Sequence, residues 1–161
     1  MVTTTELSIR AELKAQGCTN LRLRQLMRRV AQLYDLEMAK AGLKTTQFSL
    51  LSHILKLGPL RPGELALKMK FTPSTLTRNL KPLIDAGWAS LSAGSDARSR
   101  TVTITPAGQA KRQEALAHWK AAQESLNQRL GAARVLDLHR LINESMELLA
   151  AVETETGADD E

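Results

Sequence analysis

Apolar residues recur at helical spacing along most of the chain. Between residues 19 and 41 they fall three or four positions apart, which predicts an amphipathic helix that Gly42 ends as a C-cap. Residues 6–16 are compatible with a shorter helix ahead of it. The next helix is predicted to start at Thr45 or Thr46 as N-cap and to end before Gly58. Its predicted buried face consists of Phe48, Leu51, Ile54 and Leu55.

Two short helical segments follow, joined by a tight turn. Pro62 suits the first turn of a helix of about two turns. Thr72 and Pro73 are then the residue types of an N-cap and a first helical position, so the next helix is predicted to run towards Ala86. Two short helices in this arrangement are typical of a helix-turn-helix. Pro82 lies inside the second of them and predicts a kink or a weakened last turn, because it cannot donate to a backbone carbonyl.

The spacing of apolar residues changes to a period of two after Gly87. Segments 88–92 and 100–105 read as strands and residues 93–97 as a polar turn, which predicts a β-hairpin, or wing, directly after the helix-turn-helix. Pro106 opens a helix that reaches about Leu130, and Gly131 separates it from a last amphipathic helix. The predicted core positions of the first of these helices are Leu116, Trp119, Leu126 and Leu130. The apolar stripe of the last helix consists of Val135, Leu138, Leu141, Ile142, Met146, Leu149 and Val152.

These elements predict a single domain that is mainly α with a small β-hairpin, an α+β fold. The winged helix-turn-helix would occupy residues 58–105, and a helical dimerisation region residues 19–57 and 106–152. The apolar stripe of the last helix has no evident partner within a small winged module, and this predicts a homodimer. Residues 153–161 form an acidic tail.

Charge indicates a polyanionic partner. The whole chain carries a formal charge of +5, but its last nine residues hold five acids and no base, so the remainder carries +10. Nucleic acid and an acidic membrane surface both fit such a body. A basic membrane-surface protein would place its cations along one face of an amphipathic helix and would not need a wing. Here residues 61–100 hold seven bases against three acids, concentrated around the predicted helix and hairpin.

Other features argue against an enzyme and against secretion. The sequence has no glycine-rich phosphate loop, no metal-spaced Cys/His cluster and no nucleophile signature, so no catalytic residue, cofactor or metal is expected. Apolar runs fall short of the ~20 residues that span a bilayer, and no signal segment opens the chain. With Cys18 as the single cysteine, a cytoplasmic protein is expected.

The helix after Thr72 separates two kinds of side chain. Leu76, Leu80, Leu83 and Ile84 share one side and predict its buried face. A different side carries hydroxyl groups near the helix start and cations beyond them, which suits base edges and phosphates of a major groove. An ordinary solvated face is the alternative interpretation. The residues on this side are Ser74, Thr77, Arg78 and Lys81.

The predicted hairpin tip has the pattern D-x-R-x-R. Its charged residues are Asp96, Arg98 and Arg100. An arginine at such a tip can enter a narrow minor groove, whose negative potential attracts the guanidinium group. A neighbouring carboxylate can hold an arginine by a bidentate pair. A merely soluble polar turn is the alternative.

From Thr19 to Val152 the layout resembles the MarR family of bacterial regulators. The resemblance implies a homodimer that pairs its first and last helices on a near-palindromic duplex DNA operator, and usually a repressor that a small molecule or an oxidant releases. It makes Arg98 the minor-groove arginine, supported by Asp96 and Arg100, and extends the DNA-binding set to Thr72 and Thr75. Pro82 departs from the usual recognition helix. The matching motifs are Gly42-Leu43 with Gln47-Phe48, Gly63-Glu64-Leu65-Ala66, Thr72-Pro73-Ser74-Thr75-Leu76-Thr77-Arg78, Ala86-Gly87-Trp88, Asp96-Ala97-Arg98-Ser99-Arg100 and Thr105-Pro106-Ala107-Gly108.

The resemblance is compatible with two kinds of stimulus that would release the regulator from DNA. The first is a small aromatic or carboxylate effector bound between the dimerisation helices and the winged module, beside a cation and apolar walls. Its candidate residues are Arg22, His53, His118 and Trp119, each of which also has an ordinary structural interpretation.

The second stimulus is oxidation of Cys18, which lies near a helix start with Arg22 one turn on. The cysteine of the peroxide-sensing branch would align near Asn20 instead. That branch also has two tyrosines, where this chain has Tyr34 and Arg24. These differences favour a buried or inert thiol.

Overall fold

The computed structural model describes residues 4–93 and 100–156, in which helices predominate and two strands pair as a hairpin. This confirms the predicted fold class. The chain divides into two compact units, residues 1–122 and 123–161. The elements are α1 (Thr4–Gln16), α2 (Thr19–Met38), a 3-10 turn (Ala39–Ala41), α3 (Thr45–Leu57), α4 (Pro62–Lys68), α5 (Pro73–Asp85), β1 (Ala89–Ala93), β2 (Arg100–Ile104), α6 (Pro106–Leu130) and α7 (Ala132–Thr156).

The core of the first unit lies between α3, α4, α5 and the hairpin. Val102 of β2 is fully buried there, and its backbone also pairs with Leu60, which extends the hairpin by one bridge. The prediction for α3 was wrong at Leu55, which is 42% exposed, whereas Leu50 is buried. Leu55 lies about 100° around the helix from Ile54, beyond the part of the surface that the core covers. The largest fully buried side chains are Met38, Leu50, Leu51, Ile54, Leu65, Leu76, Leu83 and Val102.

The start of α3 differs from the prediction. Lys44, and not Thr45 or Thr46, is the N-cap residue, and its backbone N–H donates to Oε1 of Gln47 at 2.8 Å. The hydroxyl of Thr45 instead donates to Oδ1 of Asp35 at 2.7 Å. Thr45 therefore ties α3 to α2 rather than capping its own helix.

The ends of α5 follow the sequence closely. Thr72 is the N-cap, and its Oγ1 accepts a hydrogen bond from the backbone N–H of Thr75. Gly87 has a φ of +72° and ends the helix, with the N–H of Trp88 donating to the carbonyl of Leu83. The helix continues past the exposed Pro82 to Asp85, so the predicted weakening does not interrupt the last turn.

The buried positions of α6 are small residues. Gly108, Ala115 and Ala122 are buried, whereas Leu116 and Trp119 are partly buried against the core. Leu126 and Leu130 are also half-buried. Small side chains at seven-residue spacing let a helix approach its neighbours closely, which a search for large apolar residues does not detect.

Several helices carry exposed apolar side chains. The predicted helix near residues 6–16 is present as α1, and Ile9 and Leu13 on it are exposed, as are Leu23 and Met27 on α2. In the second unit α7 exposes Leu141, Ile142, Met146 and Leu149, whereas Val135 is buried. The side chain of Val152 is not among those that the structure describes. In the described ranges no helix combines the length and apolar character that crossing a bilayer requires.

Candidate nucleic-acid interface

Three hydroxyl groups cluster at the N-terminus of α5. The hydroxyl of Thr72 donates to Oγ1 of Thr75 at 2.9 Å, and Oγ1 of Thr72 lies 3.1 Å from Oγ of Ser74. Thr72 and Ser74 are exposed, while Thr75 is half-buried. The backbone N–H groups at this helix end carry partial positive charge. The cluster therefore presents hydrogen-bonding groups and a favourable potential to an approaching phosphate or base edge.

The next two turns of α5 extend this surface. Thr77, Arg78 and Lys81 are all exposed, as the spacing predicted. The hydroxyl of Thr77 donates to the carbonyl of Pro73 at 2.9 Å, which holds its oxygen close to the helix. On the opposite side Leu76, Leu80 and Leu83 are buried and Ile84 packs against the core. This anchoring fixes which side of α5 faces outward.

Lys81 is already paired within the chain. Its Nζ lies 3.0 and 2.8 Å from the two carboxylate oxygens of Asp85, and both side chains remain more than half exposed. The sequence spacing placed Lys81 correctly on the outer face but did not reveal this pair.

The base of the hairpin follows directly after α5. β1 and β2 are antiparallel, with Ala93 opposite the exposed Arg100. Ser90 and Thr103 join the strands through their hydroxyls at 2.7 Å. The turn predicted at residues 93–97, together with Asp96 and Arg98, lies almost entirely outside the described residues, which resume at Arg100.

An aromatic and cationic cluster joins α3 to α6. The rings of Phe48 and Trp119 stack with centroids 5.9 Å apart, and the guanidinium of Arg112 lies 5.5 Å from the centre of Phe48. Nε of Arg112 donates to Oγ of Ser52 at 3.2 Å. Arg112 and Phe48 were not among the predicted effector residues. Ser52 and Arg112 are 60 positions apart, so no local pattern could have joined them.

The cluster contacts described above involve Trp119 but not the other three effector candidates. His53 is half-buried, and its Nδ1 lies 2.8 Å from the carbonyl oxygen of Ser49. His118 is half-buried on α6, and Arg22 is exposed in the first turn of α2. A cavity of about 400 Å³ lies along α2, and its described lining contains none of the four candidates; it consists of Gln25, Arg28, Arg29 and Gln32.

Cys18 is the N-cap residue of α2 and is exposed. The expectation that this thiol is buried is therefore wrong, and the expectation that it is inert stays a prediction. Tyr34 is buried, and burial raises the pKa of its hydroxyl, so that it remains neutral at physiological pH.

A helix with an outward polar and cationic face, a preceding short helix and a following hairpin define a winged helix-turn-helix. The protein is a transcriptional regulator that binds DNA.

Comparison with known proteins identifies the family. Residues 41–99 match the sequence model of the MarR family. The transcriptional regulator MosR of M. tuberculosis, in a crystal structure with DNA, is 31% identical, with 86% of this chain and 98% of that chain covered and a TM-score of 0.72. An uncharacterized HTH-type transcriptional regulator of Bacillus subtilis, YwoH, is 27% identical over 92 residues, which are 57% of this chain and 67% of that protein.

A MarR family protein of Mycobacterium tuberculosis, crystallised with p-aminosalicylic acid, shares the fold at 24% identity. Its TM-score is 0.60, with 80% of this chain and 98% of that chain covered. The present chain belongs to the MarR family.

Proposed function

We propose that this regulator is a homodimeric repressor that reads a near-palindromic duplex operator and is released by a small aromatic carboxylate. The observation that carries the DNA-reading part is the outer face of α5. Hydroxyls and Arg78 face outward there because three leucines fix the opposite side of the helix in the core. A helix of this width enters a major groove, and short donors on it reach base edges.

The wing supplies the second contact of the proposal. Arg98 enters the adjacent minor groove, where narrow A·T-rich segments attract guanidinium groups. By the family resemblance, Asp96 and Arg100 belong to the same proposed DNA-binding set and support the wing. The relative MosR was crystallised with DNA, which supports a duplex as the ligand of this chain too.

Exposed apolar surface supports the dimer part of the proposal. Two large apolar side chains of α1 and several of α2 and of α7 are exposed, and monomeric proteins rarely leave that much apolar surface in water. A two-fold dimer presents two recognition helices, so its half-sites should lie about one helical turn apart. The same two-fold symmetry makes the operator a near-palindrome.

The effector part rests on the cluster of Phe48, Trp119 and Arg112. Trp119 is half-buried beside the buried Phe48 and offers an apolar wall, and Ser52 holds the guanidinium of Arg112 beside Phe48. An aromatic carboxylate combines a ring with an anion and matches both features. One protein of this fold was crystallised with p-aminosalicylic acid, which is a ligand of this class.

DNA reading is tested with duplexes selected from a random library by the wild-type protein. Fluorescence anisotropy should show that Arg78→Ala binds the selected duplex roughly tenfold more weakly, the cost of one good contact. Arg140→Ala, which removes an exposed arginine of α7, is the matched control and should bind as wild type. Equal losses in the two variants, or selected duplexes without half-site symmetry, would contradict the proposal.

Release is tested by adding p-aminosalicylate to the complex with the selected duplex. Wild type should dissociate, and Trp119→Leu and Arg112→Gln should require at least severalfold more ligand. Transcription in vitro from a promoter that overlaps the selected site should fall when the protein is added. A rise would identify an activator instead.

A further inference from the structure

The end of α5, the end of β2 and the start of α6 meet at one threonine. The hydroxyl of Thr105 donates to the carbonyl of Gly87 at 2.6 Å, and its oxygen accepts from the N–H of Gly108 at 3.0 Å. The backbone N–H of Thr105 also donates to the carbonyl of Trp88 at 3.1 Å. Thr105 is thus the N-cap of α6 and, through the same side chain, a cross-link to the residue that ends the recognition helix.

Close backbone packing makes this junction tight. A Cβ atom at position 108 would overlap the carbonyl oxygen of Trp88 and would lie 3.0 Å from Cγ1 of Ile104. Glycine is therefore required for α6 to lie this close to the first residue after Gly87.

Lys111, in the next turn of α6, adds a cation–π contact to this junction. Nζ of Lys111 lies 5.7 Å from the ring centre of Trp88, and the side chain of Lys111 is only 21% exposed. A cation over an indole ring is attracted by the electrons of its face, and partial burial strengthens that attraction. Three successive contacts, at Thr105, Gly108 and Lys111, hold α6 against the Gly87-Trp88 segment.

We infer that Thr105 is a positioning residue for DNA binding: its hydroxyl fixes the wing relative to the recognition helix. Gly87 follows α5 and Thr105 follows β2, so the hydrogen bond between them joins the two DNA-facing elements at their bases. Neither residue needs to touch DNA for this role. The inference rests on the proposed wing contact.

Additivity distinguishes positioning from simple stability. Thr105 lies about 16 Å from Arg100 along an extended strand, and side chains that far apart normally have independent effects. If Thr105 acts by placing the wing, its substitution should weaken binding only while the wing cations at positions 98 and 100 are present.

The experiment is a mutant cycle on the selected duplex that places Thr105→Val in the wild type and in Arg98→Ala/Arg100→Ala, which lacks both wing cations. Thr105→Val keeps the shape and removes the hydroxyl, and binding should weaken roughly three- to tenfold. Adding Thr105→Val to Arg98→Ala/Arg100→Ala should change binding by less than about twofold. Thr105→Ser keeps both hydrogen bonds and should restore wild-type affinity.

Two controls separate this result from loss of fold. Ile54→Val removes one buried methyl group from the core and provides a variant of lowered Tm with wild-type binding. Should Thr105→Val fail to fold, Lys111→Met replaces it in the cycle, with Lys120→Met as the control for charge because Lys120 is exposed.

Fully additive losses, or equal losses for Thr105→Val and Ile54→Val, would overturn the positioning role. Wild-type affinity for Arg98→Ala/Arg100→Ala would remove the wing from the interface. That result contradicts the proposed wing contact and, with it, this inference.

Discussion

The ammonium group of Lys81 lies 2.8 Å from the carboxylate of Asp85, one turn further along the recognition helix. The pair lies on the outer face of α5, so the cation best placed beyond Arg78 is partly neutralised before DNA arrives. Any phosphate that contacts Lys81 must compete with Asp85, and the same carboxylate repels the phosphate directly.

Asp85→Asn should therefore increase affinity for DNA of any sequence. Exposed ion pairs contribute up to about 1 kcal/mol, which sets the gain at no more than roughly fivefold at low salt. Anisotropy on selected and random duplexes measures it. Asp137→Asn removes an equal charge from an exposed pair with Arg140 on α7 and is the control. If both variants gain equally, net charge and not the release of Lys81 is responsible.

Arg98→Ala should lose affinity according to the flanking sequence. Binding should weaken by about 1–3 kcal/mol, most strongly on operators with A·T-rich flanks, because narrow minor grooves attract arginine most. Duplexes that share one core and differ only in flanks provide the measurement. Losses of the same size on every flank would show that Arg98 does not read the minor groove.

Cys18→Ser should leave release of DNA by p-aminosalicylate unchanged. Cys18 is exposed at the start of α2, but the sequence supplies neither the expected alignment nor the second tyrosine of a peroxide sensor. Hydrogen peroxide at micromolar concentration should release neither protein from DNA. If peroxide released the wild-type protein from DNA but did not release Cys18→Ser, Cys18 would be established as a redox sensor.

Leu141→Glu should dissociate the proposed dimer. Leu141 is a half-exposed residue in the apolar stripe of α7, and a charge there would be buried at an apolar interface. Light scattering after size-exclusion chromatography should report a monomer. Leu67→Glu makes the same change at an exposed leucine of α4, and that variant should remain dimeric.

Local signals predicted the elements that form the interface. Helix α5 begins after Thr72 and ends before Gly87, as their residue types indicated, because N-caps and left-handed C-caps depend on backbone groups within a few positions. The outer face of α5 could likewise be predicted, because the spacing of its apolar residues is also a local signal.

Contacts between distant segments could not be predicted in this way. Thr45 has the residue type of a cap, yet tertiary packing gives its hydroxyl to Asp35. The sequence does not distinguish Arg112 from an ordinary surface arginine, whereas in the structure it contacts Ser52 and Phe48 of α3. The partners of these side chains depend on how the helices pack. Local patterns in a single sequence do not predict that packing.

The uninterrupted course of α6 has a mechanical consequence. Trp119 stacks on Phe48, and Thr105 caps the same helix about 21 Å away at 1.5 Å per residue. A continuous helix resists compression because every turn is held by hydrogen bonds. A ligand of the proposed effector cluster that displaced Trp119 along the helix axis would therefore shift Thr105 by nearly the same distance, and α6 would transmit that displacement to the base of the wing.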